Sequence, residues 1–160
     1  MILHRYAKSG FIARLKRGLY AFPDSLPSDL FIANKLYEPS YISLQFALSY
    51  HGVIPETVYE ITSITTKATR RFEVRGKIYT YRRIKQSVFC GYRAEWQAGI
   101  SFLIAEPEKA FVDLLYFRLR SDKKPLSRFN KEKINPQKAL RYAELFGNSK
   151  LTSIIKTTLR

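Results

Sequence analysis

Apolar residues recur along this chain with two different periods, and the switches between them mark its elements. Leu3, Tyr6 and Ala7 keep helical spacing, so residues 1–9 read as the end of a helix closed by Ser9-Gly10. From Phe11 to Phe22 the period drops to two, with Arg17-Gly18 as the turn, which predicts a hairpin. A tight turn there sets Leu15 opposite Tyr20 and Ala13 opposite Phe22 on one apolar face. Arg14, Lys16 and Arg17 then occupy the other face and the tip. Pro23 and Pro27 among small polar residues make 22–28 a linker. Helical spacing returns over 29–37 through Leu30, Ala33 and Leu36, with Ser28 or Asp29 as the cap.

The stretch 39–52 organises the rest of the chain. Ser43 is placed to cap a second short helix, Leu44, Ala47, Leu48 and His51 share one face, and Gly52 ends it. Two short helices in a row suit a platform for a sheet. Val58–Thr65 is β-favouring. Thr69–Ile84 is the clearest hairpin, turning near Arg75-Gly76-Lys77. Phe72, Val74, Tyr79 and Tyr81 share its inner face, and Arg71, Glu73, Arg75, Thr80 and Arg82 share the outer one. Two more short strands flank Trp96-Gln97-Ala98-Gly99 within 89–104. Residues 106–119 form the strongest helix, with Pro107 at its first position and Glu106 and Glu108 at the positive end of its dipole. It is apolar nearly all round, so it is expected to be buried, and Asp113 within it needs a basic or backbone-amide partner. A basic loop over 121–135 leads to two last helices, 136–146 and 149–159. The expected class is α+β, an antiparallel sheet packed on helices.

Composition adds bounds. At 160 residues and 46% apolar, the chain can bury a core as one domain with a small appendage. No apolar run approaches the roughly 20 residues of a membrane span, and the start lacks the pattern of a secretory signal. A lone cysteine, Cys90, excludes an intrachain disulfide, so a cytoplasmic setting is expected. Charge changes the picture most. Twenty-eight basic against 13 acidic residues give a formal +15, which attracts polyanions. Nucleic acid is the commonest such partner; a solvated basic surface and acidic lipid are the alternatives.

Catalytic chemistry finds little to build on. Cys90 has no local histidine, and His4 and His51 lie on distant elements without metal-ligand spacing. There is no glycine-rich phosphate loop, and no metal or cofactor is expected. A metal-dependent nuclease drawing on Glu73, Glu106, Glu108 and Asp113, with Lys109 on the phosphate, is the enzymatic alternative. Helix-dipole complementarity already accounts for Glu106 and Glu108.

Two basic surfaces remain. Arg5 and Lys8 on the first helix adjoin Arg14, Lys16 and Arg17 of the hairpin, as helix and wing do in a winged helix. On the second hairpin, Arg71, Arg75, Lys77 and Arg82 form a ribbon able to track phosphates. Between Lys67 and Lys85 basic residues outnumber the one acid, Glu73, eight to one. An ordinary solvated face fits either surface as well, and an acidic protein partner fits the ribbon.

Three spaced motifs carry a resemblance. They are Leu15-Lys16-Arg17-Gly18-Leu19-Tyr20, the run Pro39–Gly52 continuing through Ile54-Pro55-Glu56 and Ile61-Thr62-Ser63, and Ile104–Asp113. Together they resemble the AbiEi-type antitoxins, transcriptional regulators of type IV toxin–antitoxin modules in phage defence by abortive infection. The likeness spans about Leu3 to Leu115. It implies a winged-helix remnant over 1–22, a linker over 23–28 and an α/β antitoxin domain over 29–160. Only the last helix of a winged helix fits before the wing. The resemblance further implies binding to duplex DNA at the protein's own promoter, autorepression, and opposition to a nucleotidyltransferase-like toxin without a stable complex. None of the motifs is catalytic. Transferred to this chain, DNA contact falls on Arg5, Lys8, Arg14, Lys16 and Arg17, with the ribbon as a second surface. A protein-interaction module that neutralises a toxin without touching DNA is the other reading.

Overall fold

A computed structural model describes residues 2–160. Helix α1 (Ile2–Lys8) precedes a separate two-stranded sheet of β1 (Ala13–Lys16) and β2 (Leu19–Ala21). Then come α2 (Asp29–Leu36), β3 (Ser40–Ile42), α3 (Leu44–Tyr50), β4 (Ile61–Thr65), β5 (Arg70–Val74) and β6 (Lys77–Arg83). The chain ends with β7 (Tyr92–Gln97), β8 (Ile100–Ala105), α4 (Pro107–Arg120), α5 (Pro136–Leu145) and α6 (Ser149–Thr158). The class is α+β, as the pattern implies. No helix among the described residues is long and apolar enough to cross a membrane.

The larger sheet has the order β5-β6-β4-β3-β8-β7 and is mixed rather than antiparallel throughout. Leaving β4, the chain skips one strand position to lay β5 at the edge, then returns through Arg75-Gly76 so that β6 runs parallel to β4. Skipping one position spans about 10 Å, within reach of the short 66–69 connection. Both hairpin turns of this sheet put two successive residues at positive φ, Arg75-Gly76 and Ala98-Gly99. That matches the right-handed twist of the strands they join.

The sheet is covered on both faces. On one, the Tyr81 hydroxyl donates to the Ala33 carbonyl of α2 and Tyr79 donates to Asp29 at 3.3 Å. On the other, Tyr41 donates to Asp113 of α4 at 2.9 Å. Helix α4 packs in turn against α3, α5 and α6, and its buried run extends from Glu108 to Leu115.

Four expectations change with the fold. The strand β3 replaces the direct run from helix to helix over 36–44, and its three residues are wholly buried in the middle of the sheet. The sheet itself is mixed, because β6 runs parallel to β4 and β8 parallel to β3. Ser43 does not cap α3. Leu44 adopts φ 59°, a sharp strand-to-helix turn that points the Ser43 hydroxyl to Asp113 at 2.9 Å. Thr62 Oγ1 accepts the Phe46 amide at 3.2 Å instead, a cap supplied by a neighbouring strand. In the first hairpin, Ala13 faces Ala21 and Arg14 faces Tyr20, one step from the expected register. Only Gly18 of its turn has positive φ, so the twist mismatch is taken up as an irregularity between Arg14 and Lys16.

Candidate nucleic-acid interface

The β5–β6 ribbon builds its outer surface from alternation alone. Register pairs Arg71 with Thr80 and Phe72 with Tyr79, so Arg71, Thr80 and Arg82 share one face while Tyr79 and Tyr81 go into the core. Arg82 continues past the edge of the groove, its guanidinium 4.3 Å from the centre of the Phe117 ring on α4. Such stacking holds the cation in place while leaving its donors free.

This face opens into a cleft of about 760 Å³. Its floor includes Thr62 and Thr80, and its walls are the start of α3 (Leu44, Gln45), the segment 57–60, and Arg70, Arg71 and Arg82. Thr69 and Arg82 also line an adjoining hollow of about 380 Å³ with Arg83, Phe117, Arg120 and Ser121. The two form one arginine-lined track across the sheet, with hydroxyls between the cations. Glu60 in the wall and Glu73, 3.6 Å from Arg71, temper the field.

The other predicted positions fare differently. Arg75 sits exposed at the ribbon tip, in the left-handed conformation at φ 51°. Lys77 is removed from the outer surface, because it pairs with Val74 across the turn and reaches Asp29 at 3.3 Å. Arg5 and Lys8 are exposed on α1, and Arg14 and Arg17 on the first hairpin. Lys16 is not free for phosphate: its ammonium donates to the Leu36 carbonyl at the end of α2. The terminal carbonyls of a helix are a natural seat for a cation. Arg120 and Arg83 belong to the track but escape sequence reading. Arg120 ends a helix whose pattern signals burial, and only the packing of α4 beside β6 brings it to Arg82.

Of the carboxylates of the nuclease alternative, Glu106 and Glu108 come together on the Lys138 ammonium, at 2.8 and 3.9 Å, while Glu73 and Asp113 lie elsewhere. Glu73 lies on the ribbon with Arg71, while Glu106 binds Lys138 at 2.8 Å and the Tyr142 hydroxyl at 2.6 Å. Burial pushes Glu106 up, but those two partners outweigh it and hold the carboxyl below its ordinary range. Glu108 accepts the Asn135 amide at 3.0 Å. Asp113 is fully buried in a salt bridge with Lys109, itself fully buried, and also accepts from Tyr41 and Ser43. Desolvation raises the Asp113 pKa despite these partners, and it raises Tyr41 with help from the adjacent carboxylate. With both oxygens occupied and no solvent access, this network serves packing. Among the described residues, no three His, Cys, Asp or Glu gather as a metal-ligand cluster. Compared with known proteins, the chain matches no family model and no curated protein sequence.

Proposed function

We propose that the protein is a DNA-binding antitoxin and transcriptional regulator that grips duplex phosphates without catalysis. One observation carries this reading: the track formed by Arg71 and Arg82 on the open face of the ribbon, with Arg120 of α4 beside Arg82. Guanidinium groups fixed along a ribbon, with the Thr69 and Thr80 hydroxyls beside them, suit a row of phosphate oxygens. The exposed Arg5, Lys8, Arg14 and Arg17 supply a second set of contacts, and a formal +15 supports attraction at a distance. The AbiEi-type resemblance adds the setting, an operon with a nucleotidyltransferase-like toxin, in the cytoplasm.

The test is binding to a duplex carrying the upstream region of its own gene, followed by fluorescence anisotropy. Affinity is expected to fall steeply with salt, about a thousandfold between 50 and 200 mM for roughly six phosphate contacts. Absence of binding at 50 mM salt overturns the reading.

A second reading has its own observation. Ile2, Leu3, Tyr6 and Phe11 are all about half or more exposed, forming an apolar patch on α1 and the loop after it. Such a patch suits a protein partner. Growth rescue on co-expression with the toxin, in a variant that no longer binds DNA, distinguishes the two.

A further inference from the structure

The six-stranded sheet ends on two edges of opposite character. At one, β5 carries Arg70 and Arg71 against the single acid Glu73, and Arg75 follows at the turn. Like charges along an edge discourage a second chain from pairing with it. At the other, Arg93 and Glu95 of β7 are the only charged residues in the whole β7–β8 hairpin. Strand β7 contains no proline, and its register with β8 runs without a bulge. Among the described residues, the backbone of 92–97 bonds to no element except β8.

The hydrogen-bonding parity of that edge follows from its hairpin. Ala98-Gly99, both at positive φ, make a two-residue turn between Gln97 and Ile100. Such a turn is closed by a hydrogen-bonded pair. At the far end of the same register, the Glu106 amide donates to the Gly91 carbonyl at 2.9 Å. Bonded pairs alternate along an antiparallel ladder, so Arg93, Glu95 and Gln97 point their N–H and C=O groups at β8. Tyr92, Ala94 and Trp96 therefore point theirs outward, where they can template another strand. The Ala94 and Trp96 side chains share a face with Leu103. Trp96, 70% exposed, is the only tryptophan in the chain.

Only a register that matches outward residues with one another continues the ladder. In a second copy running antiparallel, pairing Tyr92 with the partner's Ala94 sets Arg93 against the partner's Arg93. Pairing Ala94 with the partner's Trp96 sets Glu95 against the partner's Glu95. Like charges directly opposite disfavour both. Pairing Ala94 with the partner's Ala94 sets each Arg93 against the partner's Glu95, and each Trp96 against the partner's Tyr92. A two-fold axis then passes beside Ala94, and both ion pairs fall at the closer, non-hydrogen-bonded positions.

We infer that β7 pairs in this register with β7 of a second copy, joining two sheets into one. Arg93 and Glu95, 2.9 Å apart within one strand, exchange partners across the axis. This surface lies at the edge opposite the arginine track, so the inference stands whether or not that track holds DNA.

Sedimentation velocity of the full chain tests it, in about 300 mM salt to screen the repulsion between two molecules of charge +15. The mass is expected to rise from 18.7 kDa toward twice that as concentration climbs to about 300 μM, the weak range suited to a contact along one edge. Trp96 emission is expected to shift to the blue over the same range. Arg93→Glu and Glu95→Arg, each alone, should weaken association at least about tenfold, because each sets like charges opposite one another. Mixed in equal amounts, the two variants should associate again, since every charge then meets its opposite. Neither a misfolded variant nor contact through another surface produces that restoration. The inference is overturned by a mass that stays at one chain up to about 300 μM, by single variants that associate like the parent, or by a mixture that stays monomeric.

Discussion

Two hairpins in this molecule are basic, turn through an arginine and a glycine, and present the same alternation. Their surroundings make them different devices. The first, β1–β2, forms a sheet of its own beside a helix with no buried residue. Arg14 and Arg17 extend from it into solvent, where ordering a long side chain on a phosphate costs rotamer entropy. The second, β5–β6, continues a six-stranded sheet, with its tyrosines anchored beneath α2 and Arg82 stacked on α4. Part of the ordering cost is met there by folding. Positive charge on either hairpin attracts a polyanion, whereas tertiary support decides how well a cation is preorganised to hold what it attracts.

The largest effect should come from the base on which the ribbon's sheet rests. Asp113→Ala leaves the Lys109 ammonium buried and unpaired, with an expected loss of about 3–5 kcal/mol in urea unfolding. Lys109→Met combined with Asp113→Leu should recover part of that loss, since it removes both charges together while the Tyr41 and Ser43 hydroxyls lose their acceptor. If the single variant unfolds like the parent, the network is not what supports the sheet.

Next in size is the contrast between the hairpins. Arg71→Ala with Arg82→Ala should lower DNA affinity more than Arg14→Ala with Arg17→Ala, measured by anisotropy at fixed salt. The salt slope for the ribbon pair should become shallower by about 1.8, roughly 0.9 for each phosphate no longer neutralised. Equal weakening by both pairs would erase the distinction between the hairpins; greater weakening by the first pair of substitutions than by the second would mark β5–β6 as the better reader, and the reverse order would invert it.

The smallest effect separates two cations on one strand. Lys16→Ala should cost about 1 kcal/mol of stability through the missing bond to the Leu36 carbonyl and change DNA affinity little. Arg14→Ala should do the reverse. Chemical denaturation and binding on the same two proteins read both outcomes.

Much of this architecture is written locally. Helices α2, α4, α5 and α6, the paired turns at Arg75-Gly76 and Ala98-Gly99, the inward tyrosines of the ribbon and the need of Asp113 for a partner all come from spacing, caps and alternation. Those signals act between residues a few positions apart, so a single chain carries them without its fold. Strand β3 escaped because three residues are too few for a period of two to register. The shifted first hairpin escaped because its register depends on the conformation of a turn that residue types leave open.

Partnership is what the folded state alone decided. Ser43 spends its hydroxyl on a carboxylate 70 positions away rather than on its own helix. Lys16, which alternation puts on the same face as Arg14, is claimed by the Leu36 carbonyl, and Lys77 is claimed by Asp29. Arg120 joins Arg82 only because α4 lies across the sheet, and the Ser40 hydroxyl is left buried without a partner. Periodicity fixes which face a side chain takes, but its neighbours across the core depend on how distant elements pack, and no local rule contains that geometry.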